Sequence, residues 1–209
     1  GRIYIMNVDH ANDHGSFLPE EAPIRMSNLC CEIDLPTKPL QSSSDTEGEI
    51  SLCTLSAINW GLIDDKKDFE KYCTLSVRAL DNLLTYQEYP VPAAEISTMN
   101  RRPIGIGIIN LAYFLAKRDL KYDEKALPII DEWAEAWSYY LIKASNELAE
   151  ERGACPKNHE TKYARGELPI DTYKSAVDNL VQRKERLPWT SLRNALKKHG
   201  IRNSTLMAL

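Results

Sequence analysis

Three side chains that could act together in chemistry recur at every second residue near the start of the chain. Asn28, Cys30 and Glu32 supply an amide, a thiol and a carboxylate. In an extended segment, side chains two residues apart point the same way and lie roughly 6 to 7 Å from one another. The spacing therefore predicts that these three groups share one face of an extended segment, opposite an apolar face. Such a face suits redox or radical chemistry on a small polar substrate.

A structural interpretation of the cysteines competes with this one, because free cysteine usually packs as a small buried hydrophobe. The chain has five cysteines, an odd number with irregular spacing, which argues against a secreted disulfide framework. Cys30 and Cys31 are adjacent and no Cys-x-x-Cys pair occurs, so a zinc site is not indicated. In a reducing compartment, the cysteines either pack as buried side chains or take part in thiol chemistry.

Three other site patterns are weaker. His10 and His14 have the spacing of metal ligands on a helix face, but we expect residues 9–14 to form a loop after a strand, and therefore predict no metal site. Gly105 and Gly107 lack the third glycine of a dinucleotide-binding loop, and close helix packing explains them better. A hydrolase that pairs Cys30 with a histidine is a further alternative, although nothing orients a histidine against the sulfur.

Composition limits the classes of protein. The 209 residues are 43% hydrophobic, enough to bury a core in one domain or a large part of one. The net charge of -4 has no basic stripe, so nucleic-acid binding is unsupported. No apolar run approaches the roughly 18 residues of a membrane helix and no targeting segment is visible, so we expect a cytoplasmic protein.

Hydrophobic periodicity predicts alternating strands and helices, and hence an α/β fold. The predicted strands cover residues 3–8, 49–59 and the start of one at 203–209; residues 41–48 should form an exposed loop. Residues 104–116 should be buried and end as a helix. Further helices are predicted over 68–87, 124–152, 172–183 and 190–199, with Gly153 and Gly200 closing two of them. Cys73, on the apolar stripe of the first of these helices, should be core.

The run Ser-Asn-Leu-Cys-Cys-Glu-Ile at 27–33 closely resembles the active-site region of the large subunit of class I ribonucleotide reductase, of bacterial or T4-like phage type. The resemblance extends in order along essentially the whole chain, through residues 2–10, 27–40, 48–59, 89–94, 101–107, 143–149, 153–156, 168–173 and 202–206. A match of this extent predicts a common fold and common chemistry.

The resemblance implies an architecture that periodicity alone does not give: part of a ten-stranded α/β barrel, with a central finger loop at about residues 27–40 that presents a radical cysteine. All 209 residues would belong to a partial catalytic barrel domain. The regulatory ATP-binding domain, the effector-binding segments and the first barrel half are expected ahead of this chain. The substrate-phosphate loop and the C-terminal tail are expected after it.

The resemblance also implies roles for individual residues. Cys30 matches the cysteine that becomes a transient thiyl radical and takes the 3′ hydrogen of the ribose, and Glu32 matches the base that deprotonates the 3′ hydroxyl. Asn28 matches the amide that hydrogen-bonds both the substrate and the neighbouring carboxylate. Cys53 matches one of two cysteines that become a disulfide as the 2′ carbon is reduced, with its partner expected in the first barrel half. Cys31 and Cys155 are expected to be structural.

The implied activity is reduction of ribonucleoside diphosphates to 2′-deoxyribonucleoside diphosphates, by a fragment or a split piece of the large subunit. The implied partners are a radical-generating small subunit with a metal centre, the missing large-subunit segments, and thioredoxin or glutaredoxin. A complete large subunit would dimerise and bind ATP and dNTP effectors outside this chain; this chain itself would bind no cofactor directly. The alternative is a non-catalytic remnant that serves only as a structural or assembly subunit.

Overall fold

The computed structural model describes residues 3–182 and 184–208. In these ranges the chain forms helices and strands joined by short 3-10 turns. The helices are α1 (Val8–His14), α2 (Phe69–Tyr86), α3 (Pro92–Arg101), α4 (Leu111–Ala116), α5 (Leu127–Arg152), α6 (Pro169–Thr172) and α7 (Trp189–His199), and the strands are β1 (Thr54–Asn59) and β2 (Ile104–Ile109). The mixture of helix and strand agrees with the predicted α/β class. Ten strands are not seen among the described residues, so the complete barrel stays an expectation.

The sheet is parallel and is built around β2. Strands β1 and β2 pair along their full lengths. On the other side of β2, the Ile106 N–H donates to the Leu206 carbonyl oxygen at 2.8 Å, and a single parallel bridge joins Ile106 to Met207. The predicted strand over 203–209 is thus represented by this contact beside β2, while Leu209 lies outside the described residues.

The main core lies between the sheet and two long helices, α2 and α5, which pack against each other. Cys73 on α2 is fully buried, which confirms that it belongs to the core. Four aromatic rings meet at one end of this core with centroids 4.5 to 5.8 Å apart, and each such pair contributes about 0.5–1.5 kcal/mol beyond its buried area. They belong to Trp60, Phe69, Phe114 and Trp133.

A second, smaller apolar cluster lies beneath the segment that contains Asn28 and Cys30. It buries Phe17, Ala22, Ile24 and Leu35, with Ile33 and Cys53 packed against it. Because residues from both sides of the segment contribute to it, this cluster gives residues 27–35 a base on which to rest.

Three predicted helices are confirmed: the patterns over 68–87, 124–152 and 190–199 correspond to α2, α5 and α7. The stretch 104–116 ends in a helix as predicted, since α4 follows β2, but it is buried only in part, because Ile109 and Tyr113 are each 50% exposed. Gly153 and Gly200 follow α5 and α7 with φ of 86° and 74°, a backbone region that glycine adopts without steric cost. None of the helices in the described ranges has a stretch long and apolar enough to cross a membrane.

The predicted first strand is wrong. Residues 3–7 have no regular structure, with Ile3 and Ile5 more than 80% exposed, and residues 8–14 form α1 rather than a loop. A strand is stable only when another strand pairs with it, and no described segment lies alongside residues 3–7 to do so. Alternation of side chains was therefore not enough to produce a strand here.

Two further predictions need correction, and one helix was not predicted. The strand predicted over 49–59 is shorter, since β1 begins at Thr54. The helix predicted over 172–183 does not form: α6 ends at Thr172 and only the short 3-10 segment Ser175–Asn179 follows, while Arg183 lies outside the described residues. Helix α3 was not predicted, because Pro90 and Pro92 read as the end of the preceding helix. Pro92 instead occupies the first position of α3, where its missing N–H costs nothing.

Candidate active site

Residues Asn28 to Cys31 form a tight turn rather than the predicted extended segment. The Cys31 N–H donates to the Asn28 carbonyl oxygen at 3.1 Å, and the Asn28 N–H donates to the carbonyl oxygen of Ile33 at 3.2 Å. Cys31 has a φ of 56°, a left-handed conformation that is costly for any residue with a Cβ. The chain reverses at this point, so the three side chains do not line one face of a strand.

The turn nevertheless brings the predicted amide and carboxylate together. The Asn28 side-chain Nδ2 donates to Glu32 Oε1 at 3.1 Å, and its Oδ1 accepts the N–H groups of Glu32 and Ile33 at 3.0 and 3.2 Å. Asparagine closes loops in this way because its side chain replaces missing backbone partners. The contact between Asn28 and its neighbouring carboxylate is therefore present, while Cys30 occupies the third position of the turn with its side chain exposed.

A cavity of about 280 Å³ opens beside the turn. Its lining includes Met26, Ser27, Asn28, Ile33, Leu35, Thr37, Ser51, Leu52, Cys53 and Leu55. Asn28 and Cys53 both reach it, whereas Cys30 and Glu32 lie outside the lining. The cavity thus joins the turn to the start of β1, which is where the sequence places its second candidate cysteine.

The two parts of the site also interact electrostatically. Burial and, to a smaller extent, the negative charge of Glu32 together raise the pKa of the Cys53 thiol to about 12. Burial likewise raises the pKa of Asp34, which follows the turn. A thiol in this setting stays protonated at neutral pH, so Cys53 is suited to give up hydrogen and electrons together rather than to act as a thiolate nucleophile.

Gly105 on β2 makes room for Cys53 and is the residue that the sequence reasoning misjudged. A Cβ at this position would lie 3.2 Å from Cys53 Sγ, 2.6 Å from Leu55 Cδ2 and 2.8 Å from Ala208 Cβ. The close approach is between strands, not between helices as predicted. The alternation of glycine and isoleucine in β2 was the available signal: Ile104 and Ile106 are buried in the core, and Gly105 between them faces Cys53.

The structure also places the histidines and arginines of the weaker candidate sites. His10 and His14 lie on α1 with ring centroids 6.0 Å apart, and the His14 ring contacts the Thr172 carbonyl oxygen. The prediction that they lie in a loop is therefore wrong. Within the described ranges, no group of three or more possible metal ligands comes together. Arg101 and Arg102, beside the two glycines, are buried against carboxylates.

The five cysteines are all free thiols. Cys73 and Cys155 are buried, and burial raises the pKa of each thiol. Their burial agrees with the structural roles predicted for them. Cys31 is exposed, so the structural role predicted for it is wrong. Cys30 is exposed as well, so the two candidate chemical cysteines, Cys30 and Cys53, differ in their access to solvent.

Comparisons with known proteins agree on one family. Residues 1–209 match the family described as "Ribonucleotide reductase, barrel domain". The chain is 54% identical to the ribonucleoside-diphosphate reductase subunit alpha of Buchnera aphidicola from Acyrthosiphon pisum, 55% to subunit alpha of the Escherichia coli K12 reductase 1, and 45% to that of enterobacteria phage T4. All of this chain is covered in each case, but only 28%, 28% and 27% of the relatives. The chain spans just over a quarter of the length of these proteins.

Proposed function

The chain belongs to the ribonucleotide reductase barrel-domain family, and we propose that it carries catalytic residues for the reduction of ribonucleoside diphosphates to 2′-deoxyribonucleoside diphosphates, which are DNA precursors. The observation that carries this proposal is the Asn28–Glu32 hydrogen bond on a turn beside the cavity that contains Cys53. The amide of Asn28 and the thiol of Cys53 line the cavity, and Glu32 and Cys30 lie on the turn beside it. The subunit alpha names of the relatives support the same class of reaction.

In the proposed reaction, Cys30 acts first as a thiyl radical. Its sulfur takes the hydrogen atom from C3′ of the ribose, which leaves a carbon radical at C3′ and a thiol on Cys30. Glu32 removes the proton of the 3′ hydroxyl, and Asn28 holds both Glu32 and the substrate. A general base must lie within hydrogen-bond reach of its proton, and the bond from Asn28 to Glu32 Oε1 fixes one oxygen of that base.

The second half of the reaction uses Cys53. The 2′ hydroxyl leaves as water, and Cys53 and a second cysteine supply two electrons and two protons as their sulfurs join in a disulfide. One hydrogen ends on C2′ and the other leaves in the water molecule. Cys30 then returns its hydrogen to C3′ and regains the radical, while Glu32 returns the proton to the 3′ oxygen. The protonated state that burial imposes on Cys53 suits this donor role.

The proposal requires partners that this chain does not supply. The partner cysteine of Cys53 would come from the first barrel half, present on the same polypeptide or on a complementary chain. A radical-generating small subunit with a metal centre would oxidise Cys30, and thioredoxin or glutaredoxin would reduce the disulfide again. A cytoplasmic setting, with ATP and dNTP effectors bound to other segments, fits these requirements.

Two serine variants in the native assembly test the proposal. The protein is isolated through this chain with everything that copurifies, and conversion of ribonucleoside diphosphate to deoxynucleotide is followed by chromatography. Cys30→Ser should abolish turnover, because an oxygen radical is not formed under conditions that oxidise a thiol. Cys31→Ser, at the neighbouring exposed cysteine, is the matched control and should retain activity. Turnover by the Cys30 variant would refute the assignment.

The same assay separates the alternative, a non-catalytic assembly subunit. A structural remnant would tolerate Cys30→Ser and Cys53→Ser without loss of assembly or of the activity of its partners. A catalytic chain would assemble normally with either variant but produce no deoxynucleotide.

A further inference from the structure

The loop that carries the turn is closed at its base by Glu49. The backbones of Lys38 and Glu49 exchange two hydrogen bonds, each N–H donating to the other residue's carbonyl oxygen at 3.1 Å. Two residues later, the Ser51 hydroxyl donates to the Pro36 carbonyl oxygen. Cys53 lies two residues after Ser51, so one short segment, residues 49–53, joins the base of the loop to the second candidate cysteine.

Helix α3 supports this segment along one face. Ala93, Ser97 and Arg101 are four residues apart and therefore lie on the same side of the helix. The Ala93 carbonyl oxygen accepts the Ile50 N–H at 3.2 Å, and the hydroxyls of Ser97 and Ser51 are 3.3 Å apart. The third residue of this face, Arg101, makes the charged contact.

Arg101 belongs to a closed ring of four charged side chains. Its NH1 donates to Glu49 at 2.6 Å and its Nε to Glu160 at 2.7 Å, while Lys157 Nζ lies 2.7 Å from Glu49 and 3.3 Å from Glu160. Two carboxylates face two cations in the ring, and the exposed Lys38 Nζ lies 3.7 Å from Glu49 outside it. Glu49 and Arg101 are 4% and 3% exposed, and at such burial the loss of one partner leaves an uncompensated charge.

From these contacts we propose that Glu49 is a positioning residue: through the ring it shares with Arg101, Lys157 and Glu160, it sets the distance between the turn that carries Cys30 and the cavity wall that carries Cys53. The inference rests on the proposed function, because both cysteines must reach one substrate. A buried, charge-assisted contact suits this task because its geometry is narrow. The exposed charges of the loop itself could not hold it to the same degree.

Pulsed electron paramagnetic resonance between two spin labels, one on the turn and one beyond the far end of β1, reports a change in this distance. One label is placed on Cys30 and the other on Leu62→Cys, an exposed position in the turn that follows β1. Cys31, Cys53 and any other reactive thiol of the native polypeptide are replaced by serine. In this background Glu49→Gln should broaden the distance distribution and shift its mean, since the variant removes the charge and keeps the size of the side chain.

The matched control is Glu135→Gln. Glu135 is also a buried carboxylate, and it accepts hydrogen bonds from Arg186, Leu187 and Trp189, none of which belongs to the loop. The Glu135→Gln variant should lower the free energy of unfolding and leave the distance between the two labels unchanged. Equal broadening in both variants would mean that the effect is general loosening, and an unchanged distribution in folded Glu49→Gln would overturn the proposal.

Lys157→Gln provides a second variant if Glu49→Gln does not fold. Arg101 then keeps both of its carboxylates, and Glu49 loses one of its two short contacts. The distance distribution should broaden in the same direction but less, with folding checked by thermal unfolding. A folded Lys157→Gln protein with an unaltered distribution would count against the positioning role.

Kinetics in the native assembly separate this inference from the proposed function. A misplacement of about 1 Å can cost about 10²-fold in rate, so Glu49→Gln should lower kcat by about that factor with little change in KM. If the unsubstituted protein reduces no ribonucleotide, the proposed function fails whatever the distances show. If it turns over and Glu49→Gln alters neither kcat nor the distance, the positioning role fails alone.

Discussion

Glu32→Gln should make the Cys53 thiol easier to deprotonate and therefore faster to alkylate. Burial is the larger cause of the raised pKa of Cys53, and the charge of Glu32 is the smaller one. The variant removes only the second cause. The pKa of Cys53 should therefore fall below about 12 and stay well above that of an exposed thiol.

The expected size follows from the fraction of thiolate. At pH 9, a thiol with a pKa of about 12 is ionised in about one molecule in a thousand, against roughly three-quarters for an exposed thiol with a pKa of about 8.5. Alkylation of Cys53 in the unsubstituted protein should thus be about 10³-fold slower than that of an exposed thiol. While the thiol remains mostly protonated, each unit by which its pKa falls should raise the alkylation rate about tenfold.

Iodoacetamide labelling of the native protein between pH 7.5 and 9.5, read by peptide mass spectrometry, measures this rate for Cys53 separately from the other cysteines. Glu47→Gln is the matched control, because Glu47 is an exposed carboxylate in the 41–48 loop whose charge does not act on Cys53. The reasoning is refuted if unsubstituted Cys53 reacts as fast as an exposed thiol. It is also refuted if Glu32→Gln changes the rate no more than Glu47→Gln does.

Three further outcomes are expected. Asn28→Ala removes the contact that fixes Glu32, so deoxynucleotide production should fall by about 10²-fold; unchanged turnover would exclude this role. Gly105→Ala places a Cβ 2.6 Å from Leu55 Cδ2 and should cost about 1–3 kcal/mol of unfolding free energy in urea, which an unshifted midpoint would contradict. Burial disfavours the charge of Glu135, but its hydrogen bonds outweigh burial and lower its pKa. Its stabilisation should therefore be present above about pH 4.3 and decline below it, and Glu135→Gln should flatten that part of the stability curve in acid titrations followed by circular dichroism.

The sequence determined the elements whose burial is periodic. Helices α2, α5 and α7 were predictable because a buried face on a long helix repeats every three to four residues, and that repeat is visible without any partner. The candidate residues were also readable: the amide, thiol and carboxylate at 28, 30 and 32 come from residue types and order alone. The family resemblance, now matched over residues 1–209, followed from the same order.

The local sequence pattern gave wrong predictions where contacts with other groups decide the backbone conformation. Alternation at 28, 30 and 32 fits a strand and a turn equally well, and the Asn28 side chain closes the turn. Alternation over 3–8 gave no strand, because a strand needs a neighbour to accept its hydrogen bonds. Helix α3 was not predicted because of the two prolines at 90 and 92. Proline occurs both after the end of one helix and at the first position of the next, so the residue type alone does not distinguish the two.

The tertiary structure alone decided how the site is held together. Gly105 lies against Cys53 although the two are 52 positions apart in the sequence, and Glu49 meets Arg101 and Lys157 from separate parts of the chain. No local rule relates such residues, because their proximity depends on how the helices pack on the sheet. The sequence by itself therefore specified which groups could do chemistry, and long-range packing specified the distances at which they meet.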